Sequence, residues 1–61
     1  MTVDQLIQQL TTLRDLSLAL AVTDEAQGNL ILAGHSSGKA AAFSIALMMA
    51  NELKTSLRNN Q

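Results

Sequence analysis

The chain lacks the cysteines and histidines with which small domains usually form stabilising disulfides or metal sites. Its 61 residues include no cysteine and one histidine, His35, so it has no disulfide, and a zinc site, which normally needs four ligands, would have to use carboxylates. Domains of this size bury only about 60% of the surface that the unfolded chain exposes. Small domains compensate with disulfides, metals or partner chains. By elimination, we expect one domain, residues 1–61, stabilised as a homo-oligomer without metal or cofactor.

Charge and composition narrow the class of protein. Four Lys and Arg against five Asp and Glu give a net charge of −1, whereas nucleic-acid binders carry a basic stripe. The N-terminal residues 1–5 lack the pattern of a secretory signal. The most apolar window, Ala40–Ala50, is shorter than the ~20 residues of a membrane span. We therefore expect a soluble, cytoplasmic protein that binds neither nucleic acid nor membrane.

The first predicted element is a helix from Val3 to Arg14. Thr2 and Gln5 form the T-x-x-Q pattern of a capping box, which satisfies backbone amides at a helix start. Apolar residues then recur every three or four positions, as on one face of a helix. These residues are Val3, Leu6, Ile7, Leu10 and Leu13.

After Asp15 the apolar residues alternate with small or polar ones, and this period of two predicts a strand. The alternating residues are Leu16, Leu18, Leu20 and Val22. The polar segment Asp24–Asn29 contains a glycine suited to a hairpin loop, and Leu30–Ala33 predicts a second strand. Leucine and alanine are weak strand formers, so a single helix from Thr2 to about Gln27 is the competing prediction.

The second predicted helix runs from Gly38 to Leu57 or Arg58. Its apolar residues cover more than half of the circumference, which is wider than one core contact requires. One apolar side is therefore expected to contact another subunit, unless Phe43 and Leu47 fold back under the hairpin within one subunit. The predicted interface residues are Phe43, Leu47, Met48, Ala50 and Ile31.

Together these elements predict an α+β fold in the order helix, strand, strand, helix. Both helices would pack on one face of a small antiparallel sheet. Two strands alone are only marginally stable in water, which again favours association of subunits. The alternative is an all-α helical hairpin, which a high helix content in far-UV circular dichroism would reveal.

Residues 34–38 spell G-x-S-x-G between a predicted strand and a predicted helix. This stretch resembles the nucleophile elbow of the α/β-hydrolase fold, and the resemblance implies Ser36 as nucleophile and the amide of Ser37 in the oxyanion hole. The rest of the chain departs from that family, because no histidine follows His35 and 61 residues cannot supply the parallel sheet. We predict no catalytic residue, and a minimal serine esterase ranks behind the other hypotheses.

The residues predicted to bind a ligand are Ser36, Ser37, Gly38 and Lys39. At the start of a helix, free amide groups beside a lysine would bind a phosphate or a carboxylate. In the simpler alternative, Ser36 or Ser37 caps the helix and Lys39 points into solvent.

The leading functional hypothesis is a non-catalytic, homo-oligomeric protein–protein interaction module. It would act as an adaptor, inhibitor or regulator of a larger protein, a role frequent among accessory proteins of phages and mobile elements; this part is analogy. The alternative from a different class is a binder of a small anionic or phosphorylated ligand at residues 36–39.

Overall fold

The computed structural model describes residues 1–59 as two antiparallel helices joined by a short turn. Helix α1 spans Val3–Ala26 and helix α2 spans Leu30–Asn59. Residues 1–59 contain no β-strand. The predicted α+β fold is therefore wrong, and the alternative helical hairpin describes the chain. The hairpin is elongated, with extents of 51 × 15 × 13 Å.

The segment predicted as the first strand continues α1 instead. Ser17 and Ala21 are buried, and their spacing of four residues belongs to one face of a helix. The alternating leucines thus point to different sides of the helix, and Leu18 and Leu20 remain about half exposed. Helix propensity prevailed here because leucine and alanine are among the best helix formers.

The two helices contact each other along a line of residues that we call the seam. Along each helix, successive seam residues are alternately three and four positions apart. This average spacing of 3.5 residues is that of a coiled coil. All members of the seam are buried or half-buried. On α1 they are Val3, Ile7, Leu10, Arg14, Ser17, Ala21 and Asp24, and on α2 they are Ala33, Ser36, Ala40, Phe43, Leu47, Ala50 and Lys54.

Side-chain size changes along the seam. Near the turn, the buried residues are small: Ser17, Ala21, Ala33 and Ala40. Towards the open end the seam contains larger side chains, of which Leu47 is the most buried, at 6% exposure. Because interaxial distance follows the size of the contacting side chains, the small residues allow the helices to approach closely near the turn.

A Schellman motif ends α1. Gly28 adopts a φ of +78°, and its N–H donates to the carbonyl oxygen of Glu25 at 3.0 Å. The N–H of Asn29 donates to the carbonyl oxygen of Asp24 at 2.8 Å. The Asn29 side chain then accepts a hydrogen bond from the N–H of Leu32 at 3.2 Å, which caps α2. Three residues thus end one helix and start the next.

The predicted start of α1 is confirmed, whereas the predicted start of α2 is wrong. Gln5 N–H donates to Thr2 Oγ1 at 3.1 Å and Thr2 N–H donates to Gln5 Oε1 at 2.8 Å, which completes the capping box. Helix α2 begins at Leu30, so Ser36 and Ser37 lie inside the helix and do not cap it. Asn29 takes that role because the turn delivers its side chain to the first free amides.

Substituting Gly28 by alanine should destabilise the hairpin. A Cβ atom at a φ of +78° is strained, at a cost of about 1–2 kcal/mol. Gly34→Ala is the matched control, since Gly34 lies within α2 with open space around the position of a Cβ, and should stabilise by about 0.5–1 kcal/mol. Urea denaturation followed by circular dichroism measures both. Equal effects of the two substitutions would contradict the assigned turn.

Enlarging a small seam residue should also destabilise the fold. Ala40 is 3% exposed, so Ala40→Leu would push the helices apart and cost about 1–3 kcal/mol. The neighbouring Ala41 is exposed, and Ala41→Leu makes the same chemical change outside the seam. Thermal denaturation should show a lower Tm for the first variant only. A tolerated leucine at position 40 would argue against close packing there.

Candidate interaction surface

The residues predicted to bind an anion lie inside α2. Ser36, Ser37, Gly38 and Lys39 come after the first turn of a helix that begins at Leu30, so their backbone amides belong to the helix and are not free for a ligand. The reasoning from a helix N-terminus therefore does not apply at these positions. Ligand binding itself stays an untested prediction.

Ser36 contributes to the seam. Its hydroxyl donates a long hydrogen bond of 3.4 Å to Asp24 Oδ2 on α1, and both residues are half-buried. His35 is exposed on the neighbouring side of α2, and the described residues show no hydrogen bond between His35 and Ser36. The strand that precedes a hydrolase elbow is replaced by helix, so the G-x-S-x-G resemblance has no structural counterpart here.

Three of the five predicted interface residues are used within the chain. Leu47 and Ala50 are buried in the seam, at 6% and 5% exposure, and Phe43 is half-buried. Met48 and Ile31 are exposed, at 62% and 87%. Within the chain, α1 covers Phe43, Leu47 and Ala50, and a contact between subunits at the five predicted residues stays an untested prediction.

A different apolar surface lies beside the seam, and we call it the leucine face. Its members continue from one helix to the other along one side of the hairpin, and most are about half exposed or more. On α1 they are Leu6, Leu13, Leu16 and Leu20, and on α2 they are Leu32, Ala42, Ala46, Met49 and Leu53. Large apolar side chains so exposed in one contiguous patch are unusual on a monomeric protein and mark an interaction site.

A groove near the open end shows that the two helices share this face. It has a volume of about 490 Å³ and is lined almost entirely by apolar atoms. The lining residues come from both helices: Leu6, Leu10, Ala46, Met49, Ala50 and Leu53. A side chain from another molecule could therefore bury apolar surface against α1 and α2 at once.

The other side of the hairpin is more polar. A shallow groove of about 620 Å³ on the outer side of α2 is lined by Met48 together with Asn51, Glu52 and Thr55. The cross-helix ion pair between Lys54 Nζ and Asp4 Oδ1, at 2.7 Å, also lies away from the groove of the leucine face. The two sides therefore differ in chemistry by degree, because Leu18, Val22, Ile45 and Met48 are also exposed outside the leucine face.

Sequence reasoning missed the leucine face, although its signal is present. Along α1, leucine recurs every seven residues, at Leu6, Leu13 and Leu20. Along α2, the positions seven residues apart are Leu32, Lys39, Ala46 and Leu53. A spacing of seven places residues on one side of a helix over its full length. Interpreting Leu16–Val22 as a strand broke the first series, so the repeat was not seen.

Helix α2 also has the length and composition of a membrane-spanning helix. Its best 18-residue window has a mean hydropathy of 1.2, and 11% of that window is buried. Core helices of soluble proteins and signal sequences have the same composition, so this is weak evidence. The expected cytoplasmic location stays a prediction.

Comparisons with protein-family models, curated proteins and solved structures found no match for this chain. Within residues 1–59, no three acidic or histidine side chains are grouped so that they could hold a metal ion.

The ion pair at the open end should make stability depend on pH. The hydrogen bond and the charge of Lys54 lower the pKa of Asp4 below its ordinary value of 3.8. A lowered pKa stabilises the fold above the unfolded value, and this contribution is lost as the pH falls through the folded value. Asp4→Asn should therefore reduce stability at pH 7 but have no effect at the lowest pH.

Urea denaturation between pH 2 and pH 7 measures this difference. Lys54→Gln removes the same pair from the other side, so the double variant should lose no more stability than either single one. Additive losses in the double variant would contradict a direct interaction between the two side chains.

Proposed function

We propose that this chain is a non-catalytic protein–protein interaction module that acts as a homodimer formed through the leucine face. The observation that carries the proposal is that both helices contribute exposed leucines to that face and share an apolar groove at the open end of the hairpin. Each subunit would cover the apolar side of the other, and the product would be a four-helix bundle. Such a bundle supplies the partner chain that so short a sequence lacks for its stability.

The dimensions of the hairpin suit this assembly. One broad side measures 51 by 15 Å, which corresponds to roughly 750 Å² before side chains are added. A standard protein–protein interface buries about 800 Å² per partner. Two copies that meet along their full length would therefore reach the size of a stable, specific interface.

A second copy fits the face better than a lipid bilayer does. A helix that crosses a membrane must be apolar on all sides that contact lipid, but α2 carries Asn51, Glu52 and Thr55 on its outer side. The leucine face lies on one side of the hairpin and is shared by both helices, as in a helix pair that packs against another pair.

The dimer would serve as an adaptor, inhibitor or regulator of a larger protein, which is the role expected from the sequence. Dimerisation uses one side of each hairpin, so the more polar sides and the turns remain accessible in the assembly.

Two adjacent methionines provide a matched test of the dimer. Met49 belongs to the leucine face and Met48 points to the outer side, and both are more than 60% exposed. Met49→Glu would place an unpaired charge in the interface and should weaken dimerisation about tenfold or more. Met48→Glu should leave the dimer intact. Size-exclusion chromatography with light scattering over a dilution series measures the dissociation.

Three outcomes would count against the proposal. A wild-type chain that is monomeric and folded at every concentration would refute it. Equal weakening by both glutamates would show that the leucine face is not the contact. Co-sedimentation of the wild type with vesicles of phosphatidylcholine and phosphatidylglycerol, lost in Met49→Glu, would assign the face to a membrane instead.

A further inference from the structure

All the sulfur in the chain belongs to three methionines, because the sequence contains no cysteine. In the hairpin Met1, Met48 and Met49 are all highly exposed, at 81%, 62% and 64%. Oxidation converts a thioether, which is apolar and flexible, into a polar sulfoxide, and methionine sulfoxide reductases reverse the change. The chain therefore presents oxidisable side chains to solvent, and their places in the fold decide what their oxidation would do.

The two adjacent methionines lie on different surfaces of α2. Met49 lines the apolar groove that both helices share on the leucine face. Met48 is about 100° away around the helix and lines the more polar groove on the outer side. Docking of a second copy on the leucine face would therefore cover Met49 and leave Met48 in solvent.

We propose that Met49 is a modification site, at which oxidation of the thioether to the sulfoxide separates the two copies of the dimer. This inference rests on the proposed homodimer and adds a control of its assembly. The oxidant is a peroxide, and hydrogen peroxide is the simplest case. It transfers one oxygen atom to the sulfur, so that an S–O bond forms and the O–O bond breaks. The sulfur is oxidised by two electrons, and the second peroxide oxygen leaves as water.

The sulfoxide changes the chemistry of the shared groove. The groove is lined almost entirely by apolar atoms, and its other side chains, Leu6, Leu10, Ala46, Ala50 and Leu53, have no hydrogen-bond donor. A sulfoxide oxygen is hydrated in the free hairpin and would lose that water when a second copy covers the groove. A symmetric dimer contains the site twice, so the cost is incurred in both subunits. Oxidation therefore favours the separated hairpins.

Met49 reacts in the free hairpin, where its side chain is 64% exposed. The dimer and the free hairpin are in equilibrium, so a peroxide oxidises the free population, and the modified chains no longer return to the dimer. A higher concentration of protein populates the dimer by mass action and so protects the site. Sensitivity to the oxidant should consequently fall as the protein concentration rises.

Peroxide treatment of the wild type and of two leucine variants tests the proposal. Met49→Leu and Met48→Leu each remove one thioether and keep an apolar side chain of similar volume, and Met1 is present in all three proteins. Oxidation should raise the dimer dissociation constant about tenfold or more in the wild type and in Met48→Leu. It should leave Met49→Leu unchanged. Light scattering over a dilution series measures the constants, and methionine sulfoxide reductases should restore the oxidised wild type.

The rate of oxidation at each residue is a second measurement. Tandem mass spectrometry distinguishes a sulfoxide at position 48 from one at position 49. When the subunit concentration is about ten times the dissociation constant, about one fifth of the chains are free by mass action. Met49 should then react about fivefold more slowly than at high dilution, whereas Met48 should react at the same rate at both concentrations.

Three results would overturn the inference. Dissociation of oxidised Met49→Leu would show that a different residue is the sensitive one. Oxidised wild type that dimerises as tightly as the reduced protein would show that the sulfoxide finds a hydrogen-bond donor in the partner. A rate at Met49 that does not change with protein concentration would show that the dimer leaves this side chain uncovered. Untreated wild type that is monomeric and folded would refute the proposed function itself, which light scattering shows before any oxidant is added.

Discussion

The packing of small side chains between the two helices is the interaction on which the rest of the structure depends. Ser17, Ala21, Ala33 and Ala40 are buried in the half of the seam near the turn. Residues this small cannot bury much apolar area themselves, but they let the two backbones approach closely. Close approach in turn fixes which side of each helix faces inward, and therefore which leucines remain outside.

The exposed leucines follow from this geometry. In a hairpin of two helices, each helix is covered on one side only, so apolar residues beside the seam cannot be buried by the same chain. Leu13, Leu16 and Met49 remain at 42%, 57% and 64% exposure for this reason. The chain therefore leaves apolar area unburied, and part of that area lies on the leucine face, where association with a second copy would cover it.

The sequence predicted the local features of α1 better than the architecture. The capping box at Thr2 was recognised because it depends only on residues three apart, and Gly28 was recognised as a turn residue for its freedom to adopt positive φ. The strand over Leu16–Val22 was wrong because a period of two in apolar residues also arises when leucines surround a helix on several sides. Only the contact of α1 with α2 decides which of those sides is the core.

The start of α2 shows a second limit. A glycine beside two serines is typical of a break before a helix, yet residues 34–38 lie within α2 because the helix had already begun at Leu30. Gly34 and Gly38 weaken the helix locally without interrupting it, since packing of Ala33 and Ala40 on either side holds the segment in place. For the same reason, residues 36–39 are not at a helix start, as the sequence predicted. The candidate interaction surface is instead the leucine face, to which both helices contribute.

The three-residue connection between the helices also bears on how fast the chain folds. Closing so short a loop costs little entropy, and most contacts in a helical hairpin join residues that are near in sequence or related through that one turn. Topologies of this kind fold on timescales of about microseconds to milliseconds. A newly made hairpin would therefore form its seam early, and in the proposed dimer the docking of two copies would be the slower, concentration-dependent step.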